Sequence, residues 1–587
     1  MKAGDQGTDA GTTRAPTLIR RFWGTASGFW TGEARFKAWA LSLLLVLVTL
    51  SQIGVQYRIT FWTRDIFDAV EMRDANMLWT QALLSMPLLG TTVALAVAAV
   101  YGRMSMQREW RAWLVQRLFS RWVKQGRTHH LNLLEGNHQV PEARITDDAR
   151  IATDAPIDFV VGLFHSVVGA ATFIGILWSI GGSLDLSMGK TAIHVPGFLV
   201  VSVVVYSALV TLAMLAVTRQ FTTVSESINQ AEAEFRFALT HVRENGERIA
   251  LLGSDERERQ GLTAALAVVI ARWRRYCGQH LRVTVVSNAN FLIAPVLPVF
   301  LCMPRFLQGE MSLGEVTQAA AAFVQVQSSF NWLVDNFARV ADWRASARRV
   351  GTLLESFDRL WESGRSSDPG RIIRRLADDS TLRLRGLRVT TEGGQVRLDT
   401  DDLVIGRGER VRLSGRSDGG KVALLHAVTG LSDHGAGEIT LGRSLRLFVM
   451  PSLPYMPIGT LRYAACYPAM TDSIDDSRLR NLLDAFGLGA LTTRLDDDAP
   501  WEQLMSDGER QRLDFVRACV VAPDLLLLDD PVSTLDAESQ RQLFAQLMEH
   551  LPGVTVLGFS TRGEADAFYD RTLHFELLPH EATEVHA

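Results

Sequence analysis

Long apolar stretches alternate with long charged ones over the first 345 residues, and then the rhythm changes. A membrane-crossing helix needs about 20 mostly apolar residues. Five stretches qualify: Ala38–Val55, Leu78–Val100, Ile157–Ile180, Val195–Val217 and about Val283–Met303. A sixth, about Glu315–Val334, is interrupted by Gln318, Gln325, Gln327 and Asn331 but is also read as a span. Six spans return the chain to its starting side. Ahead of them, Arg20, Arg21, Phe22, Trp23, Phe29 and Trp30 mix bases with large aromatics, the composition of an interfacial elbow helix.

Basic residues set the orientation. Seven Lys and Arg lie between Arg103 and Arg127, and nine arginines lie between Arg219 and Arg275. The connections after the third and fifth spans carry only Lys190 and Arg305. Both basic loops and both termini are therefore expected in the cytosol, with the protein multi-pass in the plasma membrane. Loops of that length imply membrane helices that run well into the cytosol before turning.

From the polar stretch Gly364–Arg374 onward the pattern becomes short strands alternating with helices, with strands expected at Thr381–Leu387, Arg410–Leu413 and Leu525–Leu528. That alternation indicates an α/β domain. The expected division is a tail and elbow (1–37), a six-helix membrane domain (38–345), a linker (346–375) and a nucleotide-binding domain (376–587). Composition adds two exclusions. A net charge of −4 gives no basic footprint for nucleic acid. Four scattered cysteines have neither metal-site spacing nor the density of a disulfide scaffold.

The chemistry concentrates in the α/β part. Gly415-Arg416-Ser417-Asp418-Gly419-Gly420-Lys421 has the spacing of a phosphate-binding loop between a strand and a helix. Its backbone N–H groups can surround a polyphosphate, and Lys421 can reach the terminal phosphates. The next residue, normally Ser or Thr for Mg²⁺, is Val422, and Asp418 adds a negative charge to the loop. Downstream, Met505–Arg512 (MSDGERQR, with Ser506 and Gly508) matches the signature of an ABC-type ATPase. Leu525–Asp530 resembles a Walker B strand with Asp529 as the metal carboxylate, and Ser533–Asp536 matches the D-loop.

Several positions depart from the pattern. Asp530 replaces the glutamate general base, and its shorter side chain draws the carboxylate about an ångström from the attacking water, enough to lose orders of magnitude in rate. Ser452 stands at the Q-loop position, and Thr561 replaces the switch histidine. No aromatic residue occurs between Trp361 and Phe448 to stack on adenine. The expectation is ATP binding with weak Mg²⁺ and impaired hydrolysis, so whether the chain is itself an enzyme stays open.

Nearly the whole chain resembles the SbmA/BacA-like branch of ABC transporters, related to peroxisomal fatty-acyl half-transporters. The matching segments are Phe61–Ala69 (FWTRDIFDA), Ala143–Asp148 (ARITDD), Glu234–Leu239 (EFRFAL), Arg243–Ala250 (RENGERIA), Trp332–Trp343 and Tyr455–Arg462 (YMPIGTLR). The resemblance implies an exporter-type membrane fold joined to a P-loop domain, in a half-transporter that dimerises. It further implies import of peptides, cobalamin or other bulky solutes, or handling of acyl groups, and it places Glu244 and Glu247 in a cytosolic coupling motif. Relatives lacking the ATPase domain are proton-coupled. Three readings follow: an ATP-binding transporter, as a homodimer or paired with a sister subunit; a proton-driven transporter with a scaffold ATPase domain; and a non-transporting regulator.

Within the spans, His165 is an ionisable group at membrane depth, read either as packing or as function. Gln318, Gln325, Asn331 and Asp335 recur along one face of the sixth span. They are expected to line a water-filled cavity, with helix–helix hydrogen bonding as the competing reading.

Overall fold

The computed structural model describes residues 20–123, 128, 131, 141–188, 191–218, 221–363, 370–378, 381–391, 393–415, 418–471, 474–560 and 568–578. Two compact units emerge, residues 1–361 and 362–587.

The first unit is built from long helices: α1 (Gly28–Thr31), α2 (Arg35–Glu71), α3 (Ala75–Trp122), α4 (Ala149–Gly181), α5 (Phe198–Thr218), α6 (Phe221–Glu244), α7 (Gly246–Leu252), α8 (Asp255–Leu307), α9 (Leu313–Asp335) and α10 (Phe337–Ser363). Among the described residues, five helical stretches are long and apolar enough to cross a membrane. At 1.5 Å per residue, the 48 residues of α3 and 53 of α8 reach roughly 70–80 Å, over twice a hydrocarbon core of about 30 Å. They therefore extend well beyond the bilayer, as the long basic loops require. Residues 346–363, read from sequence as the start of the linker, are the last two thirds of α10.

The fourth apolar run starts later than its composition suggests. Val195 and Pro196 close a hairpin of β1 (Ser183–Met188) and β2 (Thr191–Pro196), and Gly197 turns at φ +62° before α5 begins. Proline next to a left-handed glycine ends the strand and resets the backbone for the helix.

The interrupted sixth stretch forms α9, packed against α2, α4 and α8. Carboxylates of α2 cap its N-terminus: the Gly314 N–H donates to Asp68 Oδ1 at 2.9 Å, and the Leu313 N–H donates to Glu71 Oε2 at 2.8 Å. Arg64 pairs with Glu315 at 3.1 Å. Negative charge at a helix N-terminus satisfies orphan N–H groups and the macrodipole together, which gives the FWTRDIFDA segment a physical role. The ARITDD segment has another. Residues Arg144–Asp148 form a π-helix whose buried Asp148 accepts from Arg349 Nε on α10 at 2.9 Å.

The second unit is a sheet flanked by helices. Its strands are β3 (Ile373–Ala377), β4 (Leu382–Thr391), β5 (Gly394–Leu398), β6 (Asp402–Ile405), β7 (Arg410–Ser414), β8 (Gly435–Gly442), β9 (Leu447–Met450), β10 (Leu525–Asp529), β11 (Thr555–Ser560) and β12 (Arg571–Leu578). The order is β3-β8-β4-β5-β12-β7-β11-β10-β9, with β6 on β4. From β12 to β9 every pairing is parallel. The first four residues of β10, Leu525 to Leu528, are all apolar because both faces of the strand are covered, as parallel sheets require. Helices α11 (Asp418–Thr429), α12 (Leu461–Cys466), α13 (Asp476–Ala485), α14 (Asp507–Val521) and α15 (Ala537–His550) complete the unit.

Candidate functional site

In an open parallel sheet, ligands bind beyond the carboxyl ends of the strands. The motif positions gather there. Gly415 follows β7, Ser452 lies two residues past β9, and Asp529 ends β10. Thr561 comes one residue after β11, but with Arg416 and Ser417 it lies outside the described residues.

Gly415 has to be glycine, since a Cβ there would meet the Phe575 ring at 2.4 Å. Asp418, Gly419 and Gly420 open α11, whose N-terminus favours an anion. Lys421 is buried, with Nζ 3.0 Å from Asp529 Oδ1 and 2.7 Å from Asp530 Oδ2. Burial pulls its ammonium pKa down, but hydrogen bonds to Asp530 and Asp529 outweigh this and set it above the ordinary lysine value. The ammonium is thus a full positive charge held between two carboxylates. Asp530 sits at φ +48°, a left-handed conformation that Asp and Asn tolerate better than other side chains.

The donor set suits one of the two groups this site implies better than the other. A polyphosphate fits the glycine-lined turn, the helix N-terminus and Lys421. For Mg²⁺, Asp529 offers a carboxylate, but Val422 is 39% exposed and presents methyl groups where a hydroxyl belongs. Ser452 is exposed too, and its carbonyl is engaged elsewhere, accepting from Gln511 Nε2 at 2.9 Å.

Gln511 is a residue that sequence reasoning missed. It is buried, donates also to Ser533 Oγ at 3.2 Å, and accepts from Thr534 Oγ1 at 2.7 Å. One amide therefore joins the segment after β9, helix α14 and the loop after β10. The available signal was its place three residues after Gly508, on the inward face of a helix whose first turn is polar.

Ser506 caps α14 in a reciprocal capping box with Glu509. A Cβ on Gly508 would lie 3.1 Å from Leu535 Cδ2, so the signature glycine packs on the D-loop of its own chain. Asp536 caps α15 and accepts from the Ser539 N–H at 3.1 Å.

In the first unit, Asn331 and Asp335 line a cleft of about 740 Å³ together with Asn290, Gln327 and Ser328. Gln327 Nε2 donates to Asn290 Oδ1 at 3.0 Å. The expected polar stripe does not stay on one side. Gln318 is fully buried, because that part of α9 is enclosed by neighbouring helices, and its amide finds no partner among the described residues. Gln325 is half-buried and its carbonyl accepts from Ser329 Oγ at 2.9 Å. His165 lines a separate cleft of about 250 Å³ with Gln52, Gln56 and Thr92. Glu244 and Glu247 are exposed on either side of the turn between α6 and α7.

Removing one carboxylate from Lys421 should favour a polyphosphate. Asp530→Asn keeps the left-handed backbone and is expected to tighten nucleotide binding about fivefold to tenfold, the worth of one charge-assisted contact released to the ligand. Titration with a fluorescent ATP analogue checks this, and unchanged affinity would mean that the Lys421–Asp530 pair does not compete with phosphate.

Long membrane helices followed by a P-loop sheet with signature and D-loop define an ABC-type transporter chain, and comparison with known proteins agrees. The profile of "ABC transporter transmembrane region 2" matches residues 30–307, and that of "ABC transporter" matches residues 398–533. The Escherichia coli (strain K12) inner membrane ABC transporter ATP-binding protein YddA is 24% identical over 91% of this chain and 93% of its own length. The Arabidopsis thaliana ABC transporter D family member 2, chloroplastic, is 23% identical over 97% and 87%, and the human lysosomal cobalamin transporter ABCD4 is 23% identical over 92% of each. The structure of a bacterial Atm1-family ABC exporter with ATP bound shares the fold, with TM-score 0.64 at 14% identity over 92% of this chain and 93% of that one. The protein is therefore a multi-pass ABC half-transporter with fused membrane and ATP-binding domains, related to the D-family half-transporters.

Proposed function

We propose that this half-transporter moves a bulky polar solute across the plasma membrane as a dimer, holding ATP at its own Walker site with little or no hydrolysis there. The observation that carries the energetic part is the pairing of Lys421 with both Asp529 and Asp530, beside a Val422 that offers no oxygen to a metal. Gly415, Gly419, Gly420 and Lys421 would hold the phosphates, and Asp529 would hold a weakly bound Mg²⁺. ATP supplies binding energy that can favour one conformation of the dimer, and no general base of normal reach stands ready to activate water.

The solute reading draws on a cleft whose mostly apolar wall, with Met214 and Phe291 among it, also carries Asn290, Gln327, Ser328, Asn331 and Asp335, a mixture that suits a bulky ligand with both apolar surface and hydrogen-bonding groups. One relative carries a cobalamin transporter's name, which fits a large polar cargo. The arginine-rich loops favour cytosolic termini.

With Ser506 capping α14 and Gly508 in place, this chain could complete a competent site on a sister subunit. Phosphate release by the purified chain, alone and mixed with sister half-transporters, tests the proposal. Turnover only in the mixture is the expected result, and vigorous Mg²⁺-dependent turnover by the chain alone would refute it.

A further inference from the structure

Next to the entry into the first span lies a cleft that the transport reading does not use. Helical residues 20–26 and α1 are locked down by aromatic packing: Trp30 meets Trp110 edge-on at 4.9 Å, Trp23 stacks on Trp110 at 6.2 Å, and Trp110 Nε1 donates to the Ala26 carbonyl at 3.2 Å. This leaves a cleft of about 490 Å³ with walls that include Trp30, Trp39, Val46, Trp110, Val160 and Phe164. Trp39, Val46 and Val160 are all exposed, so the cleft opens on the apolar flank of the spans. It shares the wall residues Trp23, Pro156 and Val160 with a second cleft of about 210 Å³.

The second cleft ends in charge. Asp158 accepts from Gln107 Nε2 at 2.8 Å and is shared by two guanidinium groups, Arg339 and Arg103, the latter at 3.7 Å. Two positive charges on one carboxylate leave one in excess. The neighbouring carboxylate, Asp154, is opposed by Arg111 and Arg150 and does not cancel it. An apolar slot that opens sideways, beside a second cleft with Arg339 in its wall and Arg103 on the same carboxylate, matches an amphiphile with one long chain and one anionic headgroup. We infer that these neighbouring clefts bind a bilayer phospholipid with an anionic headgroup, its acyl chain among Trp30, Trp39 and Phe164 and its phosphate at Arg339, with Arg103 adding positive charge from the other side of Asp158. Basic pockets between membrane helices recognise such lipids.

The test uses the delipidated full-length protein, titrated with dioleoylphosphatidylglycerol or dioleoylphosphatidylcholine, with bound lipid counted by native mass spectrometry. The anionic lipid should be retained about fivefold over the zwitterionic one, the effect of one cationic residue near a membrane surface. Arg339→Gln should bring that ratio towards one, and Asp158→Asn, which unmasks both arginines, should raise it. Opposite signs from two neighbouring substitutions cannot come from misfolding. Val160→Trp, which fills the slot, should weaken retention of both lipids. Equal retention by the wild type would reduce the cleft to ordinary annular contact and overturn the inference, as would a ratio indifferent to both charge variants or retention indifferent to Val160→Trp. Ready displacement of the phospholipid by octanoate would also overturn it, by making the cleft a site for a soluble acyl solute.

Discussion

Combining Val422→Ser, Ser452→Gln, Asp530→Glu and Thr561→His should raise ATP turnover by roughly 10²- to 10³-fold over the wild-type chain, within the range that a positioned general base contributes. The surroundings permit the change. Val422 is 39% exposed, so exchanging it for serine removes little packing and adds an oxygen at the head of α11. Ser452 is exposed, and only its carbonyl is tied, to Gln511, so a longer side chain can extend without breaking that bond. Asp530 carries the main cost: its backbone at φ +48° suits aspartate, and a glutamate there is strained by about 1–2 kcal/mol. That strain is small beside a gain of two or more powers of ten in rate, and Asp530→Glu alone should recover less than the combination because Mg²⁺ would still lack its hydroxyl. Steady-state phosphate release with and without Mg²⁺ is the measurement. A wild-type rate already equal to that of the restored protein would remove the case for a degenerate site.

The features legible in the sequence were those fixed by a few adjacent residues. The phosphate loop, signature and Walker B strand declare themselves because strand-end glycines, a helix start and an apolar strand are local requirements, and the fold places Gly415, Ser452 and Asp529 at the ends of β7, β9 and β10. The apolar spans were legible for the same reason. What the sequence hid depends on distant partners. The polar stripe of α9 divides into a buried Gln318 and a cleft-lining Asn331 and Asp335 because residues of α4, α5 and α8 pack with Val316, Ala319 and Phe323 beside Gln318. The Gln511 amide joins segments 59 and 22 residues away, and helical periodicity cannot reveal that. Phe575 dictates Gly415 from the neighbouring strand β12, 160 residues on in the chain, through a close approach with no mark in the local pattern.

The same blindness to distant partners conceals the most vulnerable pair in the second unit. Arg517→Ala should lower stability by about 3–5 kcal/mol above pH 7, the usual cost of leaving a buried charge uncompensated. Asp514 and Arg517 are 4% and 3% exposed at the side chain and lie 2.9 Å apart on α14. Arg517 donates further to the carbonyls of Ala464 at 2.7 Å and Tyr455 at 2.8 Å, fastening α12 and the segment before it to the signature helix. Burial raises the Asp514 carboxyl to about 6, against the lowering influence of Arg517, and its Oδ2 has no partner among the described residues.

The sign of the pH effect follows. A carboxyl whose folded pKa lies above its unfolded value binds more protons in the folded state, so stability falls as pH rises from the unfolded value through about 6. Without Arg517 the carboxyl moves higher still, and the variant's deficit should grow with pH. At pH 5.5 Asp514 takes up its proton, and what remains is the loss of two hydrogen bonds to the carbonyls of Ala464 and Tyr455, about 0.5–1.5 kcal/mol each. At pH 8 the full penalty returns, seen as a fall of roughly 10 °C in the thermal midpoint of the ATP-binding domain. Asp514→Ala combined with Arg517→Met should recover much of the loss, since an apolar pair of similar volume removes the buried charge altogether. A deficit equal at both pH values would mean that Asp514 stays neutral throughout, and the electrostatic account of this pair would fail.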